Sequence, residues 1–483
     1  NSATPPQVVP DLAGGAGKEV FAYVPRTVYP NLGNLTAKSN FKFAPTVDAT
    51  PVTRDVFFGG AWHTILVGGL RLGGRGVYAL DITDPTQVTE ANAGSKVLWE
   101  FNADAPAVTG TGNPANLGYT FGQPNVARLA TGKWVVLVPG GYFPDCSKSD
   151  KPVNCTTLAA ASNGYSSLFV LDAQTGAMIK ELKTLTTITG VTSGGLSSVV
   201  LGDYNNDQVD HVAFAGDLNG NLWRFDLTDA SPANWQAHVT LAYQPVTQGA
   251  QPITAMPRLF PDPATNRFIV VFGTGKYLGA ADNTSSSAAT QSIYGIRDKL
   301  DSSGTPIKAV HADLQQQTLY QATSANGTNT VRGLTDNTLT AAQNGWYIDL
   351  NLTSSPGERV VVTAGALFDT NRAIVTTLIP GSQDPCSATI AGALMVLNAA
   401  TGGSGGGLSG PPAPTTWGTG VTGVSVVGGL VNNPPTGGSV PVATVIGGGK
   451  LLIPGLQLQG GGNLNIDDAI WRRRAWRELN NDQ

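Results

Sequence analysis

The sequence predicts an all-β chain, a modified seven-bladed β-propeller with long rim loops, and three observations carry that expectation. Composition is the first: the 483 residues include 60 Gly and 31 Pro, 41% are hydrophobic and only 13% are charged. Such a chain makes many short strands joined by tight turns, whereas surface helices would bring more charge. The second is a recurring pattern, an apolar strand ending in a Gly-rich corner and then a short aromatic-containing strand that stops near an acidic or amide residue. The third is its irregular spacing over tens of residues, as radially repeated small sheets with variable rim loops require. A β-sandwich accounts for the alternation but not for the repeated corner-then-strand signature.

In chain order, residues 63–69 lead to GVYALD (76–81), and 133–141 lead to LFVLD (168–172). Residues 211–217 lead to WRFD (223–226), 267–275 to IYGIR (293–297), and 372–381 to LMVLN (394–398). Two partial copies, FAYV within 20–24 and WYIDL (346–350), have the second strand without a clear first and bring the expected count to seven. The aromatics at matched positions, Tyr78, Phe169, Trp223 and Tyr294, are expected to pack blades together. Segments 103–117, 281–291 and 301–344 read as rim loops, and 401–441, dense in Gly, Pro, Ser and Thr, as a flexible excursion or irregular packing segment. Residues 442–454 are expected to close the ring by pairing near Phe21. The whole of 1–483 is expected to be one propeller domain, with its main repeats in 18–400 and a closing segment and tail in 442–483.

A net charge of −4 gives no electrostatic reason to expect nucleic acid or an anionic membrane as partner. No apolar run reaches the roughly 18 residues of a membrane helix, and no signal peptide opens the chain, so it reads as a processed or excised fragment of an exported protein. Cys146 and Cys155 bracket the polar loop SKSDKPVN and read as a local disulfide in an oxidising compartment; a zinc site would need two more ligands nearby. Cys386 is left over, either buried and free or paired outside this chain.

The stretch 201–228, LGDYNNDQVDHVAFAGDLNGNLWRFDLT, places an oxygen-rich loop between two strands of one repeat. Asp203, Asn205 and Asp207 alternate, Val209 offers a backbone carbonyl two positions on, and Asp210 follows, an order suited to a hard cation such as Ca2+. The competing reading is a polar turn whose Asp and Asn cap backbone groups.

Enzyme signatures do not find their context. Gly402-Gly403-Ser404-Gly405-Gly406 fits G-x-S-x-G only within low-complexity sequence, without a strand-to-helix turn. Gly74-Arg75-Gly76 enters a strand rather than a helix, and Gly447-Gly448-Gly449-Lys450 is followed by Leu instead of a hydroxyl. The four histidines, His63, His211, His238 and His311, form no visible ligand or triad cluster. The terminal strip 471–477, WRRRAWR, reads either as a contact for an acidic partner or as packed tryptophans with solvated arginines.

Six runs stand out along the chain: KEVFAYVPRTVYPNL (18–32), GGAWHTILVGGLRLGGRGVYALDITDP (59–85), AGDLNGNLWRFDL (215–227), VVFGTGKYL (270–278), GWYIDL (345–350) and TTLIPGSQDPC (376–386). Together, and in this order, they resemble the C-terminal propeller of PilY-type proteins, type IV pilus biogenesis factors and tip-associated adhesins. The resemblance implies a modified propeller with a calcium site, exported to the pilus tip, outer surface or periplasm. It also implies pilus components, minor or major pilins, as partners, with a surface or host ligand as a second candidate. The family's loop is EF-hand-like, with side-chain ligands at positions 1, 3 and 5, a carbonyl at 7 and a carboxylate at 9. Counted from Asp203, position 9 is His211, a poor calcium ligand, and the carboxylate of Asp210 comes one residue early, so a loop shortened by one residue is expected, with water in place of an unbound Asp210 as the alternative. A second calcium loop found in the family after the strand at 394–398 is replaced here by GGSGGGLSG, and no Arg-Gly-Asp is present. The alternative is a quinone-dependent, PQQ-type dehydrogenase propeller, which would need a central pocket with Arg or Lys, a calcium-linked Asp pair and usually adjacent cysteines; no adjacent cysteines occur.

Overall fold

A computed structural model describes residues 19, 21–39, 41, 44–143, 146, 164–279, 282, 289–323, 330–367, 370–380 and 391–405, with strands at 408–410, 415–416, 421–427, 444–446, 450–452 and 464–466. These residues form six sheets. The first joins Val52–Phe58, Ala61–Gly69, Gly76–Asp81 and Val97–Asn102 in sequential antiparallel order. Its opening hairpin turns through Gly59 and Gly60, both at positive φ (60° and 83°), the backbone that a two-residue loop between twisted strands needs. The second sheet repeats this order with Asn125–Arg128, Trp134–Pro139, Ser167–Asp172 and Met178–Lys183.

The third sheet runs Val200–Gly202, Val212–Gly216, Leu222–Asp226, Val239–Gln244, with Ala309–Val310 added in parallel at its edge. The fourth joins Arg258–Asp262, Arg267–Gly273, Ser292–Arg297 and Gly345–Asp349, with Leu314–Gln317 in parallel. The fifth is built on Gly365–Leu367, Arg372–Thr376 and Ala391–Asn398 and is completed by Val421–Val427 and the hairpin Leu319–Thr323/Thr330–Leu334. The sixth contains Thr415–Thr416, Leu408–Gly410, Leu464–Ile466, Lys450–Leu452 and Thr444–Ile446.

Side-chain alternation explains why the sheets pack side by side. Successive residues of a strand point to opposite faces, and here both faces are apolar. Val135 and Leu137 of the second sheet cluster with Ala213 and Ala215 of the third, while Val136 and Val138 cluster with Val67 and Val77 of the first. Val212 and Phe214 meet Val270 and Phe272, and Ile269 and Val271 meet Val375 and Met395. Four apolar seams thus join five consecutive sheets, the packing of a propeller.

Five sequence expectations are corrected. Trp346 does not open a repeat: Gly345–Asp349 pairs with Ser292–Arg297 as the fourth strand of that sheet. It is the counterpart of Trp99, since both indoles donate to the next sheet, to Ala399 O and Ala173 O at 2.9 Å. Residues 21–25 are likewise not a strand; Tyr23 packs on Tyr78 at 5.2 Å and donates to Glu100. The excursion at 401–441 supplies Val421–Val427, which lies between two strands of the fifth sheet, because its β-branched VTGVSVV outweighs the glycines around it. The loop at 301–344 contains four strands for similar reasons, and Thr444–Ile446 pairs with Lys450–Leu452 in a hairpin rather than near Phe21. The described residues give no seventh sheet.

Cys146 is disulfide-bonded; Cys155, Cys386 and the 471–477 strip lie outside the described residues.

Candidate metal centre

The loop at 203–211 joins the first two strands of the third sheet, whose register sets Val212 opposite Gly202. Asp203 organises it. One carboxylate oxygen accepts N–H groups of Asn205, Asn206 and Asp207 at 3.2, 2.8 and 3.3 Å, and the other accepts Gln208 N–H at 2.8 Å. Asp207 accepts Val209 N–H at 2.9 Å and the Asn205 amide at 3.0 Å. The Val209 N–H and then the Asn205 amide and nearby His211 hold its carboxyl below the usual carboxylate range. Asn206 and Gln208 take positive φ, 58° and 68°; Gln208 stands sixth from Asp203, where an EF-hand-type loop makes its sharp turn with glycine.

The structure brings together Asp203, Asp207 and His211, each offering one ligand atom within 4.8 Å of the others. His211 Nδ1 lies 3.6 Å from Asp203 Oδ1 and Nε2 lies 4.0 Å from Asp207 Oδ2. Asn205 sits between them in the chain, and Val209 closes the loop. Asp210 is placed elsewhere: its carboxylate accepts Arg128 N–H at 3.0 Å and lies 3.4 Å from Arg54 Nη1, and its own N–H donates to Arg128 O. It therefore ties the third sheet to the second. Burial pushes its carboxyl up, against the Arg128 N–H and the Arg54 charge that draw it down.

Counting positions from Asp203 does reach His211, but the preference of hard cations for oxygen argued against it, and the expectation of no histidine cluster is corrected for this residue. His63 instead pairs with Asp81 at 2.9 Å and stacks on Phe58. The donor set fits a hard cation through Asp203, Asn205 and Asp207, because the second Asp203 oxygen and both Asp207 oxygens each accept a single loop hydrogen bond and keep a lone pair for the ion. It departs at the ninth position, where an imidazole stands.

Comparison with known proteins places this geometry in context. The PilY1 beta-propeller domain family matches residues 18–332. The type IV pilus biogenesis factor PilY1 of Pseudomonas aeruginosa is 35% identical over 407 residues, covering 77% of this chain and 32% of that protein. A PilY1 homolog of Xylella fastidiosa is 31% identical over 477 residues, covering 94% and 34%. The chain thus spans about a third of the length of these curated relatives, which are named as biogenesis factors rather than enzymes. The crystal structure of the Pseudomonas aeruginosa PilY1 C-terminal domain matches with a TM-score of 0.65 at 28% identity, over 93% of this chain and 88% of that one. Among the described residues no helix is long and apolar enough to cross a membrane. With the sheet order, the seams and these matches agreeing, the chain belongs to the PilY1 β-propeller domain family.

Proposed function

We propose that the chain works as a single calcium-binding, non-enzymatic propeller of an exported type IV pilus biogenesis and tip-adhesin protein. In this reading it modulates pilus extension and retraction, twitching motility and surface attachment, with minor or major pilins as partners and a surface or host ligand as a second contact. It acts at the pilus tip, the outer cell surface or in the periplasm. The carrying observation is the Asp203-centred loop, set on one sheet of a propeller whose family is that of the pilus factors. Asp203, Asn205, Asp207 and the Val209 carbonyl hold the ion, and water completes the shell, since Asp210 joins only by leaving Arg128 and Arg54. When bound, the ion supplies a fixed positive charge that draws these donors into one arrangement; the bound and free loops then present different surfaces to the pilus machinery.

The dehydrogenase alternative finds one supporting feature, a cavity of about 330 Å3 whose lining includes Arg71 and Asp48. These two pair with each other at 3.7 Å, and the Asp203, Asp207 and His211 cluster lies outside that lining. A quinone and a calcium ion would therefore not meet.

The ion should be a switch rather than a scaffold, because the seams draw their cohesion from apolar side chains spread over many strands. Asp203→Ala, introduced into the full-length protein, should keep the far-UV circular dichroism of wild type and alter piliation or twitching. Wild type that unfolds when a chelator removes calcium would show the ion to be structural, and a folded variant with unchanged motility would remove the switch.

A further inference from the structure

Tyr204 stands between two of the loop's donors, Asp203 and Asn205, yet its side chain leaves the loop for the neighbouring sheet. Its hydroxyl donates to Asp298 Oδ2 and accepts from Arg224 Nη2 at 3.2 Å. Its ring lies 5.2 Å from that of Phe268, stacked, with the Arg267 guanidinium 4.1 Å from its centroid. Asp298 follows Ser292–Arg297 of the fourth sheet and is almost wholly buried. It also binds Arg224 Nε at 3.1 Å and Arg267 Nε at 3.2 Å, and its N–H donates to Phe268 O. Arg224 in turn reaches Asp226 at 3.0 Å.

Two carboxylates and two guanidiniums balance in charge, so Tyr204 enters as a neutral donor that fills the third position on Asp298. Nothing in the cation chemistry of the loop needs this tyrosine. What it does is fix the backbone between two ligands against a part of the next sheet that is itself held at three points.

We propose that Tyr204 is a positioning residue for the cation loop and couples the loop's occupancy to the seam between the third and fourth sheets through Asp298, Arg224 and Arg267. The proposal rests on the cation-binding reading above. A brace that holds the loop in its binding form raises cation affinity, and by linkage the cation must steady the brace to the same degree.

The test is hydrogen–deuterium exchange on the full chain with calcium chloride or with a chelator, for wild type and Tyr204→Phe, alongside calorimetry of calcium binding. Phenylalanine keeps the ring packing and removes only the hydroxyl. In wild type, calcium should slow exchange at residues 202–211 and also in Arg267–Gly273 and Ser292–Arg297. In Tyr204→Phe the loop should still respond, the two distant strands should lose their response, and affinity should fall about three- to tenfold, a part of the weight of one hydrogen bond to a charged acceptor, since that bond is also made in the free loop. Protection confined to the loop in wild type, or a Tyr204→Phe protein equal to wild type in affinity and in the strands, overturns the coupling and leaves cation binding standing. No calcium-dependent protection anywhere in wild type overturns the cation reading itself, and the coupling with it.

Discussion

Replacing Glu358 with alanine should destabilise the propeller by about 3–5 kcal/mol, the cost of breaking a buried ion pair from one side. Arg332 and Glu358 are both 0% exposed and meet at two points, Nη1 to Oε1 at 2.7 Å and Nη2 to Oε2 at 3.0 Å. Ser355 Oγ accepts from the same guanidinium at 3.1 Å, and the Thr377 hydroxyl donates to Glu358. Arg332 lies on Thr330–Leu334, the chain segment that reaches the fifth sheet from upstream, so the pair fastens that hairpin to the segment before Gly365–Leu367 and, through Thr377, to the end of Arg372–Thr376. Alanine leaves a guanidinium charge in an apolar setting without its carboxylate. Glu358→Gln keeps one acceptor and should cost less. Chemical denaturation of the three proteins measures the difference; a Glu358→Ala protein within about 1 kcal/mol of wild type would show that the pair is solvated.

Asp217→Ala should cost about 2–4 kcal/mol, because several donors lose one acceptor at once. The carboxylate, 0% exposed, accepts from Ser193 Oγ at 2.8 Å, Asn221 Nδ2 at 2.9 Å and Trp223 Nε1 at 2.8 Å. It also accepts the N–H groups of Asn219 and Asn221, both at 2.9 Å. These bonds shape the turn through Gly220, whose φ of 89° suits glycine, and they orient Trp223 in the seam with the second sheet. Asp217→Asn does not repair the site, since an amide presents its own N–H groups to donors. Thermal unfolding should show both variants below wild type; an Asn variant equal to wild type would mean that fewer donors depend on the charge.

How much of this was legible in the sequence differs by element. GVYALD, SLFVLD and LWRFD declared themselves because a strand buried on both faces is apolar at nearly every position and ends abruptly at a polar turn. Trp346 misled the blade count, since a fourth strand that carries an indole into the next seam has the same local composition as a third. Val421–Val427 was hidden by its glycine-rich flanks; pairing with Ala391–Asn398 and Thr330–Leu334 is a tertiary effect that local composition does not report. In the loop, the spacing of Asp203, Asn205 and Asp207 was legible because alternate oxygens are a local pattern. The turning of Asp210 toward Arg128 and Arg54 was not, for it depends on the adjoining sheet. Nor was the Tyr204 contact, which spans 94 residues to Asp298.

The most direct test of the central claim, that this propeller holds one calcium ion in the Asp203-centred loop, is calorimetric titration of calcium into the wild-type chain and into Asp207→Ala. Wild type should show a single site with a dissociation constant of about 10⁻⁷–10⁻⁵ M, the range of sensor loops, and the variant no measurable site. Calcium binding that is the same in Asp207→Ala, or absent from wild type, would contradict it.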